Sequence, residues 1–122
     1  MSNLQDLPAI PPRRIWDGVV ARLVSGERLD LAIVEIEPRG VVPEHHHANE
    51  QLGMVIEGSV TFRIGDEQRR LGPGGTWRIP SDVPHEVRAG RHGAVVIDIF
   101  TPRRQDWARL EAGEPAAPRW PA

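Results

Sequence analysis

Three consecutive histidines, His45, His46 and His47, are followed by Glu50-Gln51 and the strand-like run Leu52-Gly53-Met54-Val55-Ile56-Glu57-Gly58. On an extended backbone successive side chains alternate faces, so His45 and His47 point one way and His46 the other. Two imidazoles at this spacing, with a further histidine, His85, after a Pro-x-x-x-Pro stretch, make a cage for a divalent metal. Neutral imidazoles suit one divalent transition metal, Mn, Fe, Ni, Co or Zn, and a fourth ligand is needed. Parity puts Gln51 on the side of His45 and His47, so its amide oxygen is the expected ligand; a local bulge would bring in Glu50 instead. Three histidines and an amide leave the ion its full double charge, making it a stronger Lewis acid than a carboxylate-bound one. His46 is expected to stand exposed or behind the ligands, and His92, between Gly90 and Gly93, to be an ordinary loop residue.

A second constellation lies in Val95-Val96-Ile97-Asp98-Ile99-Phe100-Thr101-Pro102-Arg103-Arg104. Asp98 interrupts an apolar strand, and a buried, unpaired carboxylate costs several kcal/mol, so it must meet a partner, a cavity or a proton. Burial raises its pKa and a nearby cation lowers it. A titratable group aimed into a metal-containing cavity is a candidate for proton transfer; the alternative is an ion pair with Arg78 or Arg88. Arg104 can grip a carboxylate bidentately or solvate a helix start.

The elements that must position these residues are short. The 122-residue chain fits one domain and holds 12 glycines and 12 prolines, which cut it into the many short pieces of an all-β sandwich or barrel. An extended arm covers residues 1–14, a β-barrel domain 15–111, and a loosely attached Pro/Ala-rich tail 112–122, which Trp120 could pin. Strands are expected at Ile15–Val24 and Leu29–Ile36, then from Val41 to His47 and Leu52 to Glu57 with a turn at Gly58. Val60–Ile64, Glu67–Leu71 and Thr76–Ile79 follow, His85 opens a strand, and Gly93–Thr101 is the last strong one. Arg103–Glu111 suits a short helix. Met54-Val55-Ile56 and Val95-Val96-Ile97 are apolar on both parities, so something covers the outer face; a second subunit is the simplest cover, and a homodimer is expected.

Composition excludes other classes. With 15 basic and 17 acidic residues the net charge is −2, which argues for neither nucleic acid nor an anionic membrane as partner. Cysteine is absent, which removes disulfides, thiolate metal sites and thiol nucleophiles. No apolar run approaches the roughly 20 residues of a membrane span, and the start lacks a secretion signal, so a cytoplasmic location is the expectation.

These residues resemble the cupin superfamily. Its first motif, an HxH pair and a downstream glutamate between two glycines, is matched by Gly40, His45, His47, Gln51 and Gly58, with glutamine for glutamate and one residue fewer before His45. The second is matched by Gly74, Pro80 and His85, while Asp82 replaces a glycine and Ala89 an asparagine. The resemblance implies a cupin jelly-roll (double-stranded β-helix) barrel with a short C-terminal helix. A narrower likeness joins HxHxxxQ to Asp98, Phe100, Arg104 and the pair Asp106-Trp107. It looks like the small cupins of pectin and alginate catabolism, the KdgF-like group, which linearise unsaturated uronates. That likeness implies metal at His45, His47, Gln51 and His85, proton transfer by Asp98, and a substrate site shaped by Phe100 and Arg104. The substrate expected is a small acid or sugar-derived molecule, isomerised without redox change. An Fe-dependent dioxygenase and a non-catalytic sugar- or effector-binding protein are the competing readings.

Overall fold

The computed structural model describes residues 2–121; Met1 and Ala122, the ends of the expected arm and tail, lie outside the described residues. The described residues contain eight strands: β1 (Arg13–Trp16), β2 (Val19–Ser25), β3 (Asp30–Ile36), β4 (Val41–His45), β5 (Glu50–Ile64), β6 (Glu67–Leu71), β7 (Thr76–Ile79) and β8 (His85–Thr101). A four-residue helix, α1 (Gln105–Ala108), follows them. Among the described residues no helix is long and apolar enough to cross a membrane.

The strand order is β1-β2-β3-β8-β5-β6, with β4 on β8 and β7 on β5. β5 and β8 are antiparallel partners over their whole length, from Glu50↔Thr101 to Ile64↔His85. Both bend midway. The first half of β5 and the second half of β8 join β1, β2, β3 and β7 in one layer, while the other halves join β4 and β6 in a second. The two inner faces close on one core containing Val34, Val60, Phe62, Trp77, Val96 and Phe100. This is an all-β jelly roll, and sharing its two longest strands between layers leaves few open edges.

The bend explains two departures from the sequence-based expectation. Gly58 is not a turn: it has φ +77 and sits inside β5, between register shifts that flank it. A Cβ there would run into the Gly93 carbonyl, and Gly93 has φ +75. The two glycines let the long strands cross the corner in contact, a conformation other residues rarely adopt. His92 lies within β8 rather than in a loop, exposed, its ring nitrogen accepting from Arg91 Nε. Other boundaries also shift. The expected first strand is two, split by a turn at Asp17-Gly18 where Gly18 has φ +74; the apolar pattern runs straight through that turn and hides it. The N-terminal arm holds one 3-10 turn, Leu7–Ala9, entered through Pro8, and the C-terminal helix is shorter than Arg103–Glu111.

The outer face of the first layer is covered in part by the chain itself. Arg22, 2% exposed, donates to Glu35 (2.7 Å) and to the Ala116 carbonyl (2.8 Å). Arg119 reaches both Glu35 and Glu57, the residues flanking Val95 across the sheet. The tail, expected to be loosely attached, is thus held at Ala116 and Arg119, and Trp120, which could have pinned it, is exposed. Val24, Leu29, Leu52 and Met54 remain exposed beyond it.

Candidate metal centre

His45 ends β4, His47 lies in the loop after it, Gln51 is the second residue of β5 and His85 begins β8. The pairing His45↔His85 brings the two ligand-bearing strand ends side by side. One nitrogen from each of His45, His47 and His85 falls in a cluster whose members all lie within 4.8 Å of one another. In each ring Nδ1 is bonded to a backbone carbonyl two residues away: His45 to Pro43 (2.8 Å), His47 to Asn49 (3.0 Å) and His85 to Val83 (2.9 Å). Those carbonyls can only accept, so each Nδ1 carries the proton and each Nε2 presents a lone pair. Burial holds all three imidazoles below the ordinary histidine range, His85 to about 4.

Gln51 lies beside the three histidines, while Glu50 faces solvent. Its Nε2 donates to Asp98 Oδ1 (2.8 Å), which fixes the amide and turns Oε1 to within 3.2 Å of His47 Nε2. Two acceptors at that distance, with the histidine proton on the other nitrogen, repel each other unless a cation lies between them. His85 Nε2 is also buried without a partner. A borderline divalent metal satisfies both observations, and the neutral N₃O donor set fits it.

Asp98 sits directly behind Gln51. The ion pair with Arg78 or Arg88 considered from sequence is not made, since both arginines are exposed. Its partners are Gln51 and Trp77 Nε1 (2.8 Å), both on Oδ1, so Oδ2 is left for the cavity that Asp98 lines. Burial pushes the carboxyl up to about 6, against the two hydrogen bonds and the Arg104 charge. Trp77 was not singled out by its sequence context, and nor was Gly53. Gly53 pairs with both Asp98 and Trp77, and a Cβ on it would strike Trp77 Nε1 and Asp98 Oδ1. A glycine inside an otherwise regular strand was the available signal of such close approach. Gly53→Ala is therefore expected to lower stability by about 1–3 kcal/mol through overpacking. It should also reduce turnover while changing metal affinity little, as read by urea unfolding, an activity assay and metal titration; intact turnover would show that the Trp77–Asp98 contact is dispensable.

Arg104 is 4% exposed and lies under the cavity mouth. Its guanidinium stacks on Trp107 (4.2 Å) and Phe100 (4.9 Å). The bidentate pairing expected of it is made inside the chain, from Nε and Nη2 to Asp106 (3.0 and 2.9 Å). That bond is the main reason the Asp106 carboxyl falls below the usual range. Nη1 is left buried and unpaired. Asp30, fully buried, accepts from the Arg104 backbone N–H (2.7 Å) and from Arg103 Nε (3.3 Å), so it anchors this segment to β3. Phe100 packs edge-on against His47 and Trp107. His46 is exposed, 3.5 Å from Asp82.

Comparison with known proteins places this geometry. The cupin domain family model matches residues 32–100. An H2HPP isomerase of Bacillus subtilis is 32% identical over 117 residues, covering 92% of this chain but 46% of that protein, so the chain spans a little under half its length. The pectin degradation protein KdgF of Dickeya dadantii (strain 3937) is 28% identical over 100 residues, covering 80% of this chain and 90% of that one. The solved structure of KdgF from Halomonas sp. superposes with a TM-score of 0.73 at 29% identity, over 78% of this chain and 88% of that one. An RmlC-like cupin from Shewanella frigidimarina superposes with a TM-score of 0.81 at 20% identity, over 87% of this chain and 96% of that one, which shows the shared fold. With a jelly roll whose matched segment carries His45, His47, Gln51 and His85, the chain belongs to the cupin family.

Proposed function

We propose that this cupin is a cytoplasmic, metal-dependent enzyme that isomerises a small oxygenated acid between enol and keto forms without redox change. One observation carries the reading: a buried carboxylate, Asp98, is hydrogen-bonded to the same glutamine whose oxygen faces the three imidazoles. A divalent transition metal (Mn, Fe, Ni, Co or Zn) held there by His45, His47, Gln51 and His85 would polarise substrate oxygens as a Lewis acid. Asp98 Oδ2 takes up or delivers the proton, and a carboxyl pushed up to about 6 is poised for both near neutral pH. Arg104 offers Nη1 to the substrate carboxylate. Phe100 and Trp107 keep that guanidinium in place. The likeness to KdgF makes an unsaturated uronate, opened to its ketouronate, one candidate within this class.

The test is anaerobic. Protein loaded with Mn, Ni or Zn is incubated with 4,5-unsaturated galacturonate and with the enol of phenylpyruvate, following loss of the conjugated absorbance. Loss without oxygen supports the reading. Change only with Fe(II) and oxygen uptake replaces it with a dioxygenase, and binding without any change replaces it with a ligand-binding module.

We also propose a homodimer built on the outer face of the first layer. Val24, Leu29, Leu52 and Met54, with the half-buried Leu31, Ile97 and Ile99 among them, form an apolar patch beside the tail, with Arg78 next to Leu52 at its edge. A patch of this kind complements a second copy of itself about a two-fold axis. Light scattering should give twice 13.6 kDa for the native chain, and Met54→Asp should halve it; a native monomer would overturn the proposal.

A further inference from the structure

The polar groups inside the barrel are few, and most are engaged. Gln51 Nε2 and Trp77 Nε1 are committed to Asp98, Arg104 Nε and Nη2 to Asp106, and each histidine Nδ1 to a carbonyl. What remains for a ligand is the Nε2 side of the histidines with the Gln51 oxygen, Asp98 Oδ2 and Arg104 Nη1 inside, and the indole N–H groups of Trp16 and Trp107 toward the mouth. The rest of the cavity wall is mostly hydrocarbon. Val19, Val34, Ile36, Val42, Val87 and Val96 line it without a donor or acceptor on their side chains. At the mouth, Trp16 stands 5.0 Å from the His45 ring, with Trp107 among the neighbouring lining residues.

We infer that the substrate is a carboxylate with an apolar or unsaturated ring body, an aryl- or alkyl-substituted 2-oxo acid or its enol, and not a polyhydroxylated sugar acid. This rests on the proposed reading of the cavity as the substrate site and narrows it. The acid group and its neighbouring oxygen together use the polar atoms left free inside; the Trp16 and Trp107 N–H groups that remain lie at the mouth. A hydroxyl directed at the inner wall would be buried against valine and isoleucine without a partner, at about 1–3 kcal/mol each. A flat hydrocarbon body meets aliphatic walls below and indole faces at the mouth, where burial is favourable. Val34 and Val96, paired across β3 and β8 and both lining the cavity, are the specificity-determining positions.

The experiment is calorimetric titration of the zinc-loaded protein with phenylpyruvate, 4-methyl-2-oxopentanoate and galacturonate, with phenylacetone as the neutral control. Zinc has no redox chemistry, so binding is read apart from turnover. Phenylpyruvate should bind at least about 10-fold tighter than galacturonate, and phenylacetone at least about 10-fold weaker than phenylpyruvate because it leaves Arg104 Nη1 unpaired. Val96→Thr and Val34→Thr conserve shape while adding a hydroxyl; either should weaken phenylpyruvate about 3- to 10-fold without weakening galacturonate. Galacturonate binding as tightly as phenylpyruvate, neither binding, or both threonine variants leaving the ratio unchanged would overturn the inference. Tight phenylpyruvate binding with no proton exchange at its C3 in heavy water leaves the inference standing and sinks the isomerase proposal. Turnover of the unsaturated uronate with weak phenylpyruvate binding does the reverse.

Discussion

Asp98→Asn is expected to lower turnover about 10²- to 10⁴-fold, the usual contribution of a positioned general acid–base, and at the same time to stabilise the metal-free protein near neutral pH. Asparagine keeps an oxygen where Asp98 Oδ1 accepts from Gln51 and Trp77, so the amide that faces the histidines stays oriented. What it loses is the ability to exchange a proton at the atom facing the cavity. The stability effect follows from the same burial. The Asp98 carboxyl is pushed from 3.8 up to about 6 in the folded chain. A carboxylate whose folded pKa is raised contributes fully below its unfolded value and loses that contribution as pH rises through the folded one. At pH 7.5 the metal-free native protein therefore carries an ionised, buried group that the variant lacks, a difference on the order of 2–3 kcal/mol. Urea unfolding of both metal-free proteins at pH 7.5 and pH 5 reads it: the variant should lead at the higher pH and the gap should shrink at the lower. Equal gaps, or turnover within a few-fold of the native rate, would remove Asp98 from the mechanism. A group that weakens its own protein where it is ionised, yet is hydrogen-bonded to the glutamine beside the three histidines, is explained by function better than by packing.

The site was more legible in the sequence than the fold's corners were, and the reason is local geometry. His45, His47 and Gln51 lie within one short stretch, so they stay close together even though the chain between β4 and β5 is a loop through which strand alternation does not run. Asp98 stood out because a charge in an apolar strand has few explanations. The partners of Asp98 did not, because pairing Gly53, Trp77 and Asp98 requires β7 and β8 to flank β5 in a definite register. No spacing along the chain encodes that. Gly58 and Gly93 failed differently: a glycine at a turn and a glycine where two strands touch look alike until the strand that approaches is known. The same holds for Arg22 and Arg119, whose sequence neighbours give no sign that they hold the C-terminal tail against the sheet. Covered apolar positions such as Val95 signalled that something lies outside the sheet, and the chain's own tail turns out to supply part of it.

His85→Ala is expected to abolish tight metal binding, and its contrast with His46→Ala tests the centre as a whole. His85 is 2% exposed, arrives from β8 rather than from the His45–His47 stretch, and is held by the Val83 carbonyl, so no neighbouring side chain can replace it. Outer-shell changes alone typically cost about 10- to 100-fold in metal affinity, and loss of a ligand should exceed that. His46, exposed and turned toward Asp82, should be silent. Because a metal that binds only the folded state stabilises it, by about 2.7 kcal/mol at a hundred times its Kd, melting with and without Zn gives the answer without any assay of turnover. The native chain and His46→Ala should both gain stability from the metal, and His85→Ala should not. Acid provides a second reading of the same three rings. A histidine whose folded pKa is lowered contributes stability above 6.5 and loses it as pH falls through the folded value, which for His85 is about 4. Burial thus keeps the lone pairs free as pH falls past the ordinary histidine range, and metal-induced stabilisation should persist at pH 6, where a cluster of exposed histidines would already be largely protonated. Equal metal responses in His46→Ala and His85→Ala would mean that the three imidazoles, however close, do not share an ion.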